Sequence, residues 1–546
     1  MFYLLFLFLF LFPQSVKATK EYRIDYQSNY QILPNDTVYV QHQIKLTNNL
    51  ANIYPTNYTI SIGTINLNEI KVSVNKQSVK PKIDLGPNYT TISFPIANPQ
   101  IGRDKTNLIH INYFNSNVLE KIGHNYEINL PKLSKANEAN TYLRILSFPT
   151  TFPTHYLAIP KPSRRQQLDN RTILTWTNSP NQAITLLFGR TQTYKLELTY
   201  QLQSGGGQTT EIALPLDTPY QRVFLEKIEP QPQFIDLDHD GNWLAHYQLD
   251  QLKTKQVKAI LFVQVYPQPV FNLPSSNQDF HFLTKPTRFW PSHQPEIKLL
   301  AQRLKTPYNI YDYLVNNFVY NYHRSTKNQR LGAVQALKNP QLAICTEFTD
   351  TFIALARSLQ IPAREINGYA YTHNRQLKPL DLTQDVLHAW PEYLDPKTKT
   401  WLEIDPTWGN TTNGLNYFYK LDFNHIAFVR HGQEDNYPLP AGAYKNNPHQ
   451  KDIKVTPVDQ PPQPKETYIL KDHQLINTGN LALVNKTIKL ANGQSIKIAY
   501  LPPYGHLSLN QAKPILSGFH PLAPLLLLIP LAILVLFFLR YVILKP

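Results

Sequence analysis

The chain has 546 residues, of which 42% are hydrophobic and 17% charged, enough for several domains with large cores. Lysine and arginine outnumber aspartate and glutamate by 53 to 38, and this net charge of +15 suits anionic lipids or an acidic wall polymer. Nucleic acid is not an expected partner, because no basic cluster of the usual kind occurs. The chain has a single cysteine, Cys345, which excludes internal disulfides and paired-cysteine zinc sites.

Residues 1–18 have the pattern of a secretory signal peptide. An apolar run extends from Phe2 to Phe12, and Val16-Lys17-Ala18 fits a small-x-small cleavage site. This run is too short to span a bilayer comfortably, so a signal peptide is favoured over an uncleaved anchor. The bulk of the chain is therefore expected outside the cell.

Short alternating runs fill residues 19–203 and predict an N-terminal β-sandwich region. Residues 204–291 begin with a glycine-rich break and are predicted to hold further strands followed by a proline-rich linker. Neither region shows a pattern that carries chemistry. We expect them to act as a spacer or as a recognition module.

Residues 292–434 predict an α+β domain centred on Cys345. Helical spacing occurs over 293–324 and again after the cysteine. The second helix has a single apolar face, formed by Phe348, Phe352, Leu355 and Leu359. Proline at position 362 ends it, which places Cys345 at the N-terminus of the helix. There, backbone N–H groups and the helix dipole favour a thiolate.

Strand patterns follow at 364–371 and 386–394, and a turn joins the second of these to a run at 400–408. If the last two segments pair as a hairpin, His388 and Asp405 lie close together at its open end. A thiol at a helix start, a histidine and an aspartate form the set that nucleophilic catalysis needs, since the base must reach the thiol and a third group must orient the base. Asp405 followed by proline can also simply open a turn.

These segments resemble the transglutaminase-like superfamily of papain-type thiol enzymes, in a membrane-anchored bacterial form. The matching motifs are the helix-borne Cys345, Ile361-Pro362-Ala363-Arg364, His388-Ala389-Trp390 and Asp405-Pro406-Thr407-Trp408. The resemblance covers about residues 295–432 and implies Cys345 as the nucleophile, His388 as the general base and acid, and Asp405 as the residue that orients the histidine. One departure is Ala343, which stands where the family usually has glycine.

Further site predictions concern the surroundings of this triad. Asn339 and Gln341 are candidate side-chain donors to an oxyanion, beside the backbone N–H of Cys345. Asn339 lies six residues before the cysteine, the offset used by papain-type enzymes, although Asn339-Pro340 can equally be only a turn. Trp390 and Trp408 are expected in the core and the wall of the cleft. No metal or other cofactor is predicted, and no acidic loop has the spacing of calcium ligands.

The remainder of the chain predicts attachment to a membrane. Residues 435–466 are rich in proline, glutamine and asparagine and predict a linker, and residues 467–515 predict a small β-domain. Residues 521–539 are a run of 19 uncharged, mostly apolar residues, long enough for a transmembrane helix. The cations that follow place the tail, 540–546, in the cytoplasm. The protein is thus expected to cross the cell membrane once.

The sequence therefore predicts a multidomain extracellular thiol enzyme that acts on a protein or peptide, such as a cell-wall or surface protein. Its cysteinyl thioester is expected to pass the acyl group to an amine or to water, and the sequence leaves both outcomes open. The alternative is a non-catalytic surface binding or adhesion module that retains the fold. The β-rich bulk and the anchor fit that alternative equally well, whereas the intact set of Cys345, His388 and Asp405 argues against it.

Overall fold

A computed structural model of the chain describes residues 20–509 apart from short gaps, which are residues 66, 87–88, 133–138, 154–155, 178–181, 203–208, 253–254, 274–279, 325–328, 373–376, 381–386, 413, 445–449 and 491–494. The predicted signal peptide (1–18), transmembrane helix (521–539) and tail (540–546) lie outside the described residues. Within the described part of the chain, no helix is both long and apolar enough to cross a bilayer.

The N-terminal β module combines three sheets around one apolar core. The strands of the module are β1 (Tyr22–Ile32), β2 (Val38–Asn48), β3 (Asn57–Ile62), β4 (Leu67–Val74), β5 (Gln77–Val79), β6 (Lys82–Leu85), β7 (Thr90–Pro95), β8 (Thr106–Asn115), β9 (Leu119–Ile122), β10 (Asn125–Leu130), β11 (Thr141–Pro149), β12 (Tyr156–Ile159), β13 (Arg164–Leu168), β14 (Arg171–Thr177) and β15 (Ile184–Phe188). The largest sheet has eight strands in the order β13-β14-β11-β1-β2-β8-β4-β5, and the other two sheets are β3-β7-β6 and β12-β15-β10-β9. Every second residue of β2 is buried, as expected for a strand with one face on a core.

A second β module follows directly. Its strands are β16 (Gln192–Gln201), β17 (Thr209–Leu214), β18 (Gln221–Glu229), β19 (Phe234–Leu237), β20 (Trp243–Gln248) and β21 (Gln256–Val265). Strand β16 pairs with β21 along its whole length, from Gln192 opposite Val265 to Gln201 opposite Gln256. The predicted boundary at residue 203 therefore needs correction, because the second module begins before it. The alternation of apolar and polar residues in β16 cannot predict this boundary, because the strands of the first module show the same alternation.

The α+β domain packs five helices on one face of a four-stranded sheet. The helices are α1 (Pro295–Leu304), α2 (Pro307–Asn317), α3 (Gly332–Lys338), α4 (Cys345–Ser358) and α5 (Pro406–Thr411), and the strands are β22 (Ala363–Ala370), β23 (Leu387–Leu394), β24 (Trp401–Glu403) and β25 (His425–His431). The sheet order is β24-β23-β22-β25, with all neighbours antiparallel. Helix α4 is buried on nearly every side, which makes it the centre of the domain.

The sheet of this domain lies between two apolar cores. Ala363 and Tyr393 point into the core shared with the helices. Ile366, Trp390 and Phe428 point the other way, into the core of the second β module. Burial on both faces fixes the strand register, because a slip of one residue would exchange the two sets of side chains. The strands that carry the predicted site residues are therefore held rigidly.

The C-terminal strands return to the second module. They are β26 (Ile453–Val458), β27 (Tyr468–Lys471), β28 (Gln474–Asn477), β29 (Leu483–Lys489), β30 (Ser495–Leu501) and β31 (His506–Ser508). Strand β26 pairs with β16, with Val455 opposite Leu196, so the predicted linker at 435–466 contains a sheet strand. Its Pro457 is tolerated because β26 is the edge strand of its sheet. The expectation of a mostly β, multidomain chain that contains an α+β domain is confirmed.

Candidate active site

Cys345 is the first residue of α4 and is only 3% exposed. The turn that presents it is fixed by Glu347, whose Oε2 accepts the backbone N–H of Ile344 at 3.1 Å. The same oxygen lies 2.6 Å from Nη1 of Arg324, and Oε1 accepts the backbone N–H of Leu331 at 3.0 Å. One buried carboxylate thus ties three segments together at the helix end where the thiol lies.

Ala343, two residues before the cysteine, does not need the conformational freedom of glycine. Its backbone is extended, with φ of −73° and ψ of 138°, a region that any residue adopts. Its carbonyl accepts the N–H of Asn321 at 2.8 Å. The departure from the family pattern at this position therefore creates no backbone strain.

His388 and Asp405 are in contact, as the predicted hairpin requires. Nε2 of His388 lies 3.0 Å from Oδ2 of Asp405, and both side chains are fully buried. The predicted run at 400–408 is corrected, because the strand ends at Glu403 and Asp405 caps helix α5. Oδ1 of Asp405 accepts the N–H groups of Thr407 and Trp408 at 2.8 and 3.0 Å. Aspartate as N-cap followed by proline at the first helical position is a favoured helix start.

The orientation of the His388 ring leaves one nitrogen for chemistry. Because Nε2 faces Asp405, Nδ1 is the remaining proton-transfer atom, and it has no hydrogen-bond partner among the residues that the structure describes. Helix α4, which begins at Cys345, packs directly against strand β23, which carries His388. The structure thus joins His388 to Asp405 and places Cys345 on the neighbouring element. The catalytic roles of the three residues remain predictions.

A second histidine, which no sequence motif singled out, shares the carboxylate of Asp405. Nε2 of His425 lies 3.2 Å from Oδ2 of Asp405, and Nδ1 lies 2.8 Å from Oδ1 of Asp422. All three side chains are buried. The sequence feature that could have indicated this role is the spacing of Asp422 and His425 immediately before the apolar run 426–429. This feature is weak, because His425 is one of 17 histidines.

Burial and hydrogen bonding shift these groups in opposite directions. Burial lowers the pKa of His425, but the attraction of Asp422 and Asp405 outweighs it and raises that pKa to about 9. Burial raises the pKa of Asp405, but the imidazoles of His388 and His425 outweigh it and bring that pKa to about 2. The pKa of Asp422 is likewise held below its usual range, because His425 and nearby lysines outweigh the effect of burial. The cluster therefore contains two carboxylates around an imidazolium.

The same cluster has the residue types of a metal site. His388, Asp405 and His425 each offer one possible ligand atom, and these three atoms lie within 4.8 Å of one another. However, Oδ2 of Asp405 already accepts hydrogen bonds from both imidazoles. A protonated histidine has no lone pair to offer a metal ion. The donor set therefore fits a hydrogen-bonded network better than a metal centre.

Two tryptophans enclose the imidazoles. Trp408 stacks on His388 with ring centroids 5.2 Å apart, and Trp390 meets His425 edge-on at 4.9 Å. Both tryptophans are completely buried, so they line the imidazoles rather than an open cleft. Nε1 of Trp408 also donates to the carbonyl of Pro379 at 3.2 Å, which ties the 377–380 segment to the site.

The two oxyanion candidates differ in their surroundings. The side-chain amide of Asn339, which follows the last residue of α3, donates to the carbonyl of Gln335 in that helix at 3.2 Å. Gln341 is exposed in the short 3₁₀ turn Pro340–Leu342. Since N–H groups in the first turn of a helix point out of its N-terminal end, the start of α4 is the better-placed donor set.

Comparison with known proteins agrees with the resemblance. Residues 296–406 match the family model of the transglutaminase-like superfamily, so the chain contains a transglutaminase-like domain. The Bacillus subtilis (strain 168) protein YebA, described as uncharacterized, is 23% identical over 210 residues. That alignment covers 34% of this chain and 28% of YebA, so the chain spans less than a third of that relative.

Solved structures show more distant likenesses. A Cytophaga hutchinsonii protein provisionally assigned as a cysteine protease is 19% identical, with a TM-score of 0.29, and the match covers 50% of this chain and 92% of that one. Legionella pneumophila aminopeptidase A is 13% identical, with a TM-score of 0.22, and covers 35% of this chain and 24% of its own.

Proposed function

We propose that this protein is a cysteine acyltransferase or peptidase in which Cys345 is the nucleophile, His388 the general base and acid, and Asp405 the residue that orients His388. The observation that carries the proposal is the buried 3.0 Å contact between His388 Nε2 and Asp405 Oδ2. It fixes the ring so that Nδ1 is the nitrogen available to a thiol. The transglutaminase-like match over residues 296–406 supports the same chemistry.

In the first half of the proposed reaction, Nδ1 of His388 takes the proton of the Cys345 thiol. The thiolate then attacks the carbonyl carbon of a glutamine carboxamide or a peptide bond, forming a carbon–sulfur bond and a tetrahedral oxyanion. Backbone N–H groups at the start of α4 stabilise that oxyanion, where one preorganised donor is worth about 3 kcal/mol. When the intermediate collapses, the carbon–nitrogen bond breaks and the leaving ammonia or amine receives the proton from Nδ1.

In the second half, an amine or a water molecule attacks the thioester carbonyl. His388 accepts the proton of the attacking group, the carbon–sulfur bond breaks, and Cys345 regains a proton. An amine acceptor gives a cross-linked product, and water gives hydrolysis. Because Cys345 is 3% exposed and His388 is 1% exposed, the substrate has to open the surface above them before either reaction begins.

The test uses the single cysteine of the full-length chain. Alkylation of Cys345 by iodoacetamide is measured from about pH 4 to about pH 10, since a free thiol becomes reactive near pH ~8.5. We expect a reactive plateau well below pH ~7 that His388→Ala abolishes. Amine incorporation into a glutamine peptide and hydrolysis of a peptide substrate then separate the two outcomes. Reactivity only near pH ~8.5 would contradict the proposal and favour a binding module instead.

Location at the cell surface is also part of the proposal. The apolar segments at 1–18 and 521–539 support export and a single membrane anchor. Fractionation of cells, followed by protease treatment of intact cells, tests it. We expect the protein in the membrane fraction and its bulk cleaved by external protease. A protease-resistant protein in the soluble fraction would contradict this arrangement.

A further inference from the structure

The feature with the greatest consequence beyond the triad is the shared oxygen of Asp405. Oδ2 is 3.0 Å from Nε2 of His388 and 3.2 Å from Nε2 of His425. Oδ1 is occupied by the two backbone N–H groups of helix α5. The carboxylate therefore accepts four hydrogen bonds and is held from two sides, with the two imidazole centroids 5.7 Å apart.

The geometry of its two contacts, together with the ionisation of both partners, indicates the protonation state of His425. Its Nε2 meets Asp405 and its Nδ1 meets Asp422, and both partners are carboxylates. A neutral imidazole carries one N–H, so it can donate to only one of two ionised carboxylates. Donating to both requires the imidazolium. The buried cation is paired on both sides, the condition under which a charge is retained in a protein interior.

Asp422 is in turn held by cations from other segments. Its Oδ2 lies 3.7 Å from Nζ of Lys378, which also lies 3.0 Å from Glu120 and 3.1 Å from Glu127 of the N-terminal β module. The charged and titratable groups around His425 are Asp405, Asp422, His388, Lys378, Lys420, Tyr417, Glu120 and Glu127. His425 and, to a smaller extent, the two lysines lower the pKa of Asp422 despite its burial, and the ionised carboxylate in turn keeps His425 charged.

We propose that His425 and Asp422 are positioning residues of this site: a fixed cation–anion pair that holds Asp405 and sets the pH range over which His388 transfers protons. The proposal rests on the proposed function of the Cys345, His388 and Asp405 set. It assigns a role to two residues that touch neither substrate nor thiol in that mechanism.

The physical effect follows from charge sharing. During the reaction His388 becomes an imidazolium beside Asp405, and an unshared carboxylate would hold that proton strongly. The positive His425 on the same oxygen offsets part of the carboxylate charge, so His388 releases its proton to the leaving amine more readily. The two cations repel each other across 5.7 Å. In a partly screened interior this repulsion shifts the pH at which the proton is released by about 1–2 units.

The pH profile of Cys345 alkylation tests the proposal without any substrate. A thiolate–imidazolium pair gives a plateau at low pH, and a second step appears where the imidazolium loses its proton and leaves a free thiolate. We expect His425→Gln, which keeps a donor for Asp405 but removes the charge, to move this second step upward by about 1–2 pH units. Asp422→Asn should move it in the same direction, because His425 then loses the partner that keeps it charged.

His431→Gln is the matched control. His431 lies on the same strand, is also buried and also contacts a carboxylate, with Nδ1 2.8 Å from Oε2 of Glu365. We expect that variant to leave both steps at the wild-type pH. Equal positions of the second step in wild type, His425→Gln and Asp422→Asn would overturn the positioning role while leaving the triad intact. A wild-type profile without a low-pH plateau would instead overturn the proposed function.

Nitrogen-detected NMR of the imidazole groups provides a second measurement on the unmodified protein. We expect both ring nitrogens of His425 to carry protons at about pH 7.5, one unit above the ordinary histidine value. The signals are assigned by their loss in His425→Gln. A neutral His425 with one bare nitrogen at this pH would overturn the proposal even if the variants fail to fold.

Discussion

Replacing His425 by glutamine is expected to change how the stability of the protein depends on pH. The pKa of His425 is raised from its ordinary value of 6.5 to about 9. A shift of about 2.5 pH units corresponds to about 3 kcal/mol of folding free energy, since each unit is worth about 1.36 kcal/mol. Because the folded-state pKa is the higher one, this stabilisation is fully present below about pH 6.5. It is lost as the pH rises to about 9.

The assay is urea denaturation of wild type and His425→Gln at pH values between about 6 and 9.5. The quantity of interest is the difference in unfolding free energy between the two proteins, because groups that titrate identically in both cancel. We expect this difference to shrink by up to about 3 kcal/mol as the pH rises. The glutamine variant should be the less stable protein at pH 6.

His42→Gln is the control for this experiment. His42 is also fully buried, with Nδ1 2.7 Å from Ser28 and Nε2 2.8 Å from Tyr113, but burial lowers its pKa to about 4. It is therefore neutral in both the folded and unfolded protein above about pH 7.5, and its substitution should cost the same at pH 8 and 9. A constant difference between wild type and His425→Gln over pH 6.5 to 9 would show that His425 is neutral, and would refute the reasoning.

Asp405→Asn should lower the turnover of any substrate by about 10⁴-fold, as loss of the orienting carboxylate does in other triads. Wild type has about 2 kcal/mol of stability above pH ~4 that it loses as the pH falls toward 2, because the pKa of Asp405 is about 2 in the folded protein, and Asp405→Asn should lack this contribution. Unfolding free energies measured during acid titration test this expectation. Equal acid sensitivity of the two proteins would contradict it. Glu347→Gln leaves the buried Arg324 without its anion and should cost about 3–5 kcal/mol, and an unchanged urea midpoint would show that this ion pair is not needed. Gly368→Ala places a methyl group 2.8 Å from Cη2 of Trp390 and against the carbonyl of Ile426. We therefore expect the unfolding free energy measured by urea denaturation to fall by about 1–3 kcal/mol. An unchanged unfolding free energy would mean that the strands can separate without cost.

The elements around the thiol were predictable because each has a strong local signal. The apolar face of Phe348, Phe352 and Leu355 defined α4, and all three residues are fully buried. The turn between β23 and β24 brought His388 and Asp405 together, as the hairpin required. The structure of Asp405-Pro406 was less predictable, because the same two residues can open a turn or cap a helix, and packing of α5 against α2 decides between them.

The contact between His425 and Asp405 could not be predicted from local patterns. It depends on the register of β25 against β22, which places His425 opposite Ala370 at the end of the sheet. This register includes an irregularity between Asn367 and Gly368, and a change of register there would turn His425 to the other face. A pairing between segments more than fifty residues apart leaves no trace in the hydrophobic periodicity of either strand.

The N-terminal β module, expected from its sequence to act as a spacer or as a recognition module, also contacts the segment beside the site. Glu120 and Glu127 hold Lys378, and Lys378 is only 4% exposed. The neighbouring Pro379 accepts a hydrogen bond from Trp408, and Trp408 stacks on His388. A buried lysine needs its anions nearby, because an unpaired ammonium in the interior costs several kcal/mol. The module therefore supplies the charges that allow the 377–380 segment to lie against Trp408, and the site is built from two modules rather than one.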